Sequence, residues 1–488
     1  MPCLEKYVIV FFVMWCQAYT LDAQTGQSSP YNELPSPGSP VGHPAKDSAV
    51  IARPFFVRKI YISGNKRTKE SIILRELPFR ENEEYALQDL VARFEDARRQ
   101  LMNTALFHDV IVALKRFDGY NVDITVEVKE RWYLFPLPYF KPVDRNFNQW
   151  LIEQKGNLNR VDYGLKIIHN NTTGRNDKLN VWLVNGYTKR VSLSYDRLYI
   201  EKSMKWGMRT SLNLGSNREV NYATANNKQV FYKDENRFVR SFFNASAELT
   251  YRKAIKTRHR FGLGYSSEKV IDTIRKLNPS YLYNNNTRIR YPELYYIMNY
   301  FDVDFIPYPL KGYLAEVSVN KKGLNKSVNL WQTTVKVGGN WPIARKTWLG
   351  LRVAGNLKLP FKQPFYNQRL LGYSDFFMQG YEYYVLDGVA GGYLKTTVTK
   401  QLLGFNIKMP IKKSTIESIP FKVYVKAYSN MGYVYNPEPG NNNLNNKMLY
   451  SGGVGIDIVT FYDFVMRFEW SFNQLGQNGL YLHRKSYY

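Results

Sequence analysis

From Arg131 to the C-terminus the sequence alternates with a period of two residues, and no helical period returns. The segment "DFVMRFEWSFN" sets Phe464, Met466, Phe468, Trp470 and Phe472 on one face and Val465, Arg467, Glu469, Ser471 and Asn473 on the other. "FNASAELTYR" and "YLAEVSVNK" repeat the pattern, and "FKVYVKAYSN" opposes Phe421, Val423, Val425 and Ala427 to Lys422, Tyr424, Lys426 and Tyr428. About fifteen or sixteen such segments fit, divided by loops such as "GNNNLNNK", and sixteen is the even number at which a bacterial barrel closes. A soluble β-sandwich or propeller is the competing architecture. Aromatic-rich apolar faces argue against it, and no internal repeat marks propeller blades.

The N-terminus, "MPCLEKYVIVFFVMWCQAYTLDAQ", places Lys6 before an apolar run from Tyr7 to Cys16 and a small residue at Ala23. It reads as a cleaved secretory signal over residues 1–23, too short to span a bilayer. Lipidation at Cys16 is a second reading, opposed by the bulky Trp15 before it. Cys3 and Cys16 are the only cysteines, so a processed chain carries no thiol. Later segments fall short of the roughly 18–20 apolar residues of a membrane helix, so an exported chain enters a membrane only as a closed β-barrel. The chain has 39 Tyr and 28 Phe, yet its mean hydropathy is −0.41, which suits a surface that is part apolar and part polar. The net charge of +26 is spread over strands and loops. With an export signal, that pattern fits anionic lipid headgroups, lipopolysaccharide or a solvated lumen rather than nucleic acid.

Residues 24–54 are rich in Pro, Ser and Gly and read as a disordered tether. A small α/β domain follows over 55–130, in the order β-α-α-β-β, with the barrel over 131–488. "VRKIYISGN" is a strand ending in a Gly-Asn turn, and Thr68 is placed to cap the helix in "TKESIILREL". Leu87, Leu90, Val91, Phe94, Ala97 and Leu101 give a second helix one apolar face. In "YNVDITVEVKE", Val122, Ile124, Val126 and Val128 alternate with Asp123, Thr125, Glu127 and Lys129, the mark of a sheet covered on one side.

Signs of catalysis are scarce, and no enzyme activity, metal or cofactor is expected. The five histidines, His43, His108, His169, His259 and His483, lack ligand spacing. Ser374 lacks the second glycine of a nucleophile elbow. Asp302 and Asp304 share a strand face, as an acid/base pair requires, but are expected to pair with lumenal Lys and Arg.

"ISGNKRTKESIILRE", "LMNTALFHDV" and "VDITVEVKER" together resemble a POTRA domain, with Gly64, Asn65, Thr68, Arg75, Glu76, Leu106, Phe107 and Val110 at the pattern's positions. Ala105 departs from it, where Gly is favoured. The ending "GGVGIDIVTFYDFVMRFEWSFN" resembles the BamA/TamA superfamily of outer-membrane assembly and translocation proteins, in a Bacteroidetes-like form. The resemblance covers nearly all of the chain after the signal. It implies a bacterial outer-membrane location, with the POTRA domain in the periplasm.

The resemblance also identifies "FFMQGYEYY" as the tip of a sixth extracellular loop that folds back into the lumen. The family pattern of an apolar residue, Arg, Gly and an aromatic reads here as Met378, Gln379, Gly380 and Tyr381, followed by Glu382. The family's partner motif, F-x-D-x-G, corresponds to Tyr428, Asn430 and Gly432, so both halves of the ion pair are amides. Strand parity puts Asn430 on the face of Lys422 and Lys426. Gln379 is therefore expected to dock weakly on Asn430, with Glu382 reaching lumenal lysines.

Three functional classes stay open under this resemblance. The first is an assembly factor whose POTRA edge takes up unfolded outer-membrane or secreted proteins by strand addition. Its barrel seam is weakened by Pro136, Pro138 and Pro142 in the first strand, which faces a last strand containing Leu480, Leu482 and Tyr488. The second is a pore dedicated to one exported partner. The third is an accessory barrel bound to other assembly-complex subunits, a role that a single POTRA domain suits.

Overall fold

The computed structural model describes residues 54–142, 155, 158–197, 199–201, 203–252, 254–325, 328–373, 375–408, 418–460 and 464–483. The expected signal, nearly all of the tether, Ser374 and Tyr488 lie outside the described residues. The chain divides into two compact units between Arg131 and Trp132. Arg131 closes the first unit rather than opening the second: its guanidinium Nε donates to Phe107 O at 2.7 Å.

The first unit contains β1 (Phe55–Ser63), α1 (Glu70–Glu76), β2 (Glu84–Tyr85), α2 (Leu87–Asn103), β3 (Phe107–Asp118) and β4 (Asn121–Glu130). Its sheet runs β2-β1-β4-β3, with β1 parallel to β4 and β3 antiparallel to it. The two-residue β2 has no period that sequence patterning could show. Val122, Ile124, Val126 and Val128 are buried, as are Ile72, Ile73, Leu90, Ala97 and Leu101 of the helices, and α2 packs on β3, so the hydrophobic core lies between two layers. Leu87 and Val91 do not join it; they are 47% and 54% exposed. The buried stripe of α2 follows Leu90, Ala97 and Leu101, which leaves those two residues on the helix flank.

Thr68 is buried but is not the helix cap. Lys69 takes the cap position of α1, and the Thr68 backbone N–H donates to Glu130 Oε1 at 2.6 Å. Gly64 sits at φ +87°, where a Cβ would lie 1.9 Å from Val128 O, so the turn after β1 requires glycine. Asn65 secures that turn through Nδ2 to Thr68 O at 3.0 Å. Glu76, Leu106, Phe107 and Val110 are buried, and Arg75 is half-buried.

The second unit begins with β5 (Leu134–Pro142), β6 (Val161–Asn170), β7 (Asp177–Gly186), β8 (Thr188–Arg197) and β9 (Trp206–Asn217). A hairpin, β10 (Glu219–Ala225) and β11 (Lys228–Lys233), precedes β12 (Arg240–Tyr251), β13 (Thr257–Val270), β14 (Arg288–Val303), β15 (Gly312–Asn325), β16 (Val328–Ala344) and β17 (Thr347–Leu359). The short strands β18 (Arg369–Leu371) and β19 (Leu386–Asp387) lie within the loop between β17 and β20 (Ala390–Lys408). The chain continues through β21 (Ser418–Tyr435), β22 (Met448–Thr460), β23 (Val465–Asn473) and β24 (Asn478–His483). Apart from the two short hairpins, these strands form one sixteen-stranded antiparallel sheet from β5 to β24.

The sheet curls so that distant strands meet across its polar face. Tyr308, in the turn after β14, donates to Asp457 of β22 at 2.8 Å. At the other end Asn227, between β10 and β11, donates through Nδ2 to Asn445, between β21 and β22, at 3.0 Å. Burial is inverted relative to a soluble sheet. In β23, Arg467, Glu469 and Ser471 are buried, while Phe468, Trp470 and Phe472 are 37%, 49% and 54% exposed. Leu249, Phe261, Leu263, Leu294 and Val353 continue the exposed apolar face. A sheet with polar groups inside and aliphatic and aromatic groups outside is matched to lipid, so the second unit is a transmembrane β-barrel rather than a soluble sandwich.

Candidate functional site

The loop over residues 360–389 folds onto the polar inner face of the barrel. Met378 and Tyr381 are buried with Leu370, Leu371 and Leu386 of the same loop and with Tyr393, Val434 and Leu449 of the wall. Apolar burial therefore holds the tip, and its polar groups set the register. Gly380 lies at φ +86°, with a built Cβ 2.9 Å from Ser451 Cβ and 3.0 Å from Phe472 O. Only glycine fits that approach. Gly380 O accepts from Asn473 Nδ2 at 2.7 Å, and the Tyr381 hydroxyl donates to Tyr450 O at 3.2 Å.

Gln379 is 4% exposed and does not pair with Asn430. Its Nε2 donates to Glu469 Oε1 on β23 at 3.4 Å, and its Oε1 has no hydrogen-bond partner among the described residues. Asn430 instead donates to Ser451 Oγ at 3.1 Å. Tyr428 hydrogen-bonds Ser471 Oγ at 2.7 Å, and Gly432 lies under Met378, whose Sδ would stand 3.1 Å from a Cβ there. Glu382 acts on the buried Lys395 through its charge and turns its carboxylate to other groups. Its Oε1 accepts from Gly380 N at 3.0 Å and lies 3.6 Å from His483 Nε2 of β24.

The charges absent from the two expected positions thus occur on neighbouring strands. Lys426 Nζ lies 2.6 Å from Glu469 and 2.7 Å from Asp457, and all three side chains are nearly inaccessible. Glu469 also bonds His483 Nδ1. The register explains how Lys426 reaches both acids: it faces Gly455, which in turn faces Glu469, so the lysine crosses a position without a side chain. The sequence pattern shows Lys426 as lumenal but not Glu469 and Asp457 as its partners, nor His483 as the partner of Glu469. Counting register across "GGVGID" would have aligned them. Asp302 pairs with Lys256 at 2.8 Å, whereas Asp304 accepts from the Leu310 and Lys311 backbones in a turn, so the two aspartates do not act together.

The two ends of the sheet differ in hydrogen-bonding capacity. Tyr133 O accepts from Asn170 N, and Tyr187 N donates to Val161 O. With the β5–β6 register, these bonds turn the odd-numbered residues of β5 toward β6 and the even-numbered ones toward the outer edge. Pro136, Pro138 and Pro142 are all even, so three of the five edge positions from Leu134 to Pro142 have no N–H. The Trp132 indole donates to Leu134 O at the same edge. On β24, the Asn473 N to Gln477 O bond turns Asn478, Leu480 and Leu482 outward, each with an N–H and a carbonyl. Among the described residues no ladder joins β5 to β24. Each carbonyl left without a donor in such a seam costs about 1–3 kcal/mol.

Residues 55–131 match the POTRA family model, "Surface antigen variable number repeat". Over 82 residues, 17% of the chain, the sequence is 38% identical to the outer membrane protein assembly factor BamA of Neorickettsia risticii (strain Illinois). That match spans 11% of the relative's length. Among solved structures, BamA from Haemophilus ducreyi lacking POTRA domains 1–3 aligns with a TM-score of 0.47 and 16% identity, covering 88% of this chain and 83% of that one. CdiB from Acinetobacter baumannii gives 0.47 and 13%, covering 88% and 73%. CdiB from Escherichia coli gives 0.48 and 10%, covering 91% of each.

One POTRA domain ahead of a sixteen-stranded lipid-facing barrel defines the class of protein. In its POTRA segment the chain is similar to an outer-membrane protein assembly factor of the BamA type.

Proposed function

We propose that the protein assembles or inserts β-barrel proteins in the outer membrane of a Gram-negative bacterium, with its POTRA domain in the periplasm. The observation that carries this reading is the seam: the first and last strands share no ladder among the described residues, although every other neighbouring pair in the sheet does. Strand edges left so in a lipid-facing wall are places where another strand can add. The POTRA domain offers a second edge, the twelve-residue β3, which among the described residues pairs only with β4. Unfolded outer-membrane or secreted proteins are its partners in this reading, with other assembly subunits and anionic outer-membrane lipid or lipopolysaccharide around it. The inner-face plug at residues 360–389, with the Asn227–Asn445 contact over one end, weighs against a standing pore.

The test is reconstitution of the full-length protein in liposomes, followed by addition of a urea-unfolded outer-membrane barrel protein. Faster appearance of the heat-modifiable folded band than in empty liposomes, reduced on deletion of residues 55–131, is the expected result. An unchanged rate together with large, stable conductance steps would replace this reading with a translocation pore.

A further inference from the structure

The outer face of β12 to β16 changes character along the strands. The register sets Ala247, Leu263, Leu294 and Lys321 side by side, and Leu249, Leu263, Leu294, Leu324 and Trp331 line a groove of about 810 Å³ on this face. Two residues beyond Leu263, Tyr265 meets Phe243 with ring centroids 6.4 Å apart, an aromatic band of the kind found where membrane meets water. Past that band the face carries Arg290, Lys269 and Arg288, each exposed. Arg290 lies four residues from Leu294 and Lys269 six from Leu263, so the cations stand roughly 13–20 Å along the strands from the groove. With the POTRA domain in the periplasm, β13, the seventh strand of the sheet, runs outward, and the three cations mark its outer-leaflet end.

Lys269 is directly opposite Arg288, and neither of them nor Arg290 has a carboxylate partner among the described residues. Like charges so placed across a ladder repel. On the inner face of the same strands the cations Arg240, Arg260 and Lys322 instead pair with Glu268, Glu248 and Glu293. The outer row runs on from Lys269 through Ser241 and Ser216, whose hydroxyls are 3.1 Å apart, to the exposed Lys189. At the groove's rim Lys321 Nζ lies 5.2 Å from the Trp331 ring centroid. Aliphatic, aromatic, then hydroxyl and cationic groups follow in the order of an acyl chain, its interface and an anionic headgroup.

We propose that this face is a binding site for a phosphorylated lipid of the outer leaflet. Acyl chains lie in the groove over Leu263 and Leu294, and phosphate lies against Lys269, Arg288 and Arg290 with Ser241 beside it. Arginine holds phosphate through parallel N–H donors, and the added negative charge removes the repulsion between Lys269 and Arg288. This rests on the outer-membrane placement above and not on the assembly activity.

The experiment titrates the full-length protein in non-ionic detergent with diphosphorylated lipid A or with phosphatidylcholine and counts bound lipid by native mass spectrometry. The unaltered protein should retain lipid A at a concentration on the order of ten-fold lower than phosphatidylcholine, and K269Q/R288Q/R290Q, checked for folding by heat-modifiable migration, should lose that preference. The charge-matched variant K228Q/K362Q/K447Q, which alters exposed lysines elsewhere on the outer end of the barrel, should keep it. Equal retention of the two lipids by the unaltered protein would overturn the proposal, as would a triple variant indistinguishable from the charge-matched one. Full displacement of lipid A by inorganic phosphate would overturn the assignment to a lipid and leave a site for a free anion. Failure of the unaltered protein to enter bilayers would instead remove the outer-membrane placement.

Discussion

Gln379 Nε2 stands 3.4 Å from Glu469 Oε1, so the loop tip rests on a carboxylate already held by Lys426 and His483. The contact is long, and it leaves Gln379 Oε1 buried without a hydrogen bond among the described residues. The amide is therefore an inefficient latch. Gln379→Met keeps the volume and removes the orphaned oxygen while Glu469 retains its other partners. It should change the stability of the docked loop by less than about 1 kcal/mol, and loop proteolysis in the detergent-solubilised protein should be nearly unaltered. Rapid cleavage within residues 360–389 of the variant would show that the amide carries the docking.

Lys426→Met should behave in the opposite way. The side chains of Lys426, Asp457 and Glu469 are 4%, 3% and 0% exposed, and removing the cation takes from both carboxylates, out of water, a partner that stands within 2.7 Å of each. Breaking such a group by deleting one partner costs about 3–5 kcal/mol. The temperature at which the folded band converts to the unfolded one should fall clearly, and the double change Lys426→Met with Glu469→Gln should recover part of the loss. No fall in the single variant would mean that Arg467 or His483 compensates.

This contrast also shows what the sequence could and could not convey. The alternation that gave sixteen strands is local, because each strand writes its own two faces. The position of the tip was legible because Met378, Gly380 and Tyr381 fall within four successive residues and are of distinctive type. The partner of Gln379 was not, because Glu469 lies 90 residues away and meets it only through the register of three strands. The seam was read as weak from its prolines. That all three prolines share one parity is plain in the sequence; that this parity faces the seam needed the bond from Asn170 N to Tyr133 O to fix the phase of β5.

Ala105 departs from the glycine that the POTRA resemblance favours, and it sits at φ +60° while 8% exposed. A residue with a Cβ pays about 1–2 kcal/mol for that left-handed conformation. Glycine avoids the strain but loses about 0.5–1 kcal/mol through the freedom of its unfolded chain. Ala105→Gly should therefore stabilise the first unit by up to about 1 kcal/mol. Slower hydrogen exchange in β3 and α2 of the full-length variant would register the gain; faster exchange would mean that the lost methyl contact outweighs the relieved strain.

Acidification should loosen the same unit. Burial, aided by the charge of Arg131, pushes His108 down from its ordinary 6.5 to about 4. The Arg58 hydrogen bond likewise holds Asp123 below the usual carboxylate range, against the opposing effect of burial. Both groups bind protons more weakly when folded, so the unfolded chain gains protons as the pH falls, and stability falls with it. The histidine contribution is fully present above pH 6.5 and drains between there and about 4. The aspartate contribution is lost as the pH falls through its ordinary range and below. Hydrogen exchange over residues 55–131 of the full-length protein, corrected for intrinsic rates, should show less protection at about pH 5 than at about pH 7.5. His108→Gln should flatten most of that difference. An equal pH response in the variant would assign the sensitivity to other groups.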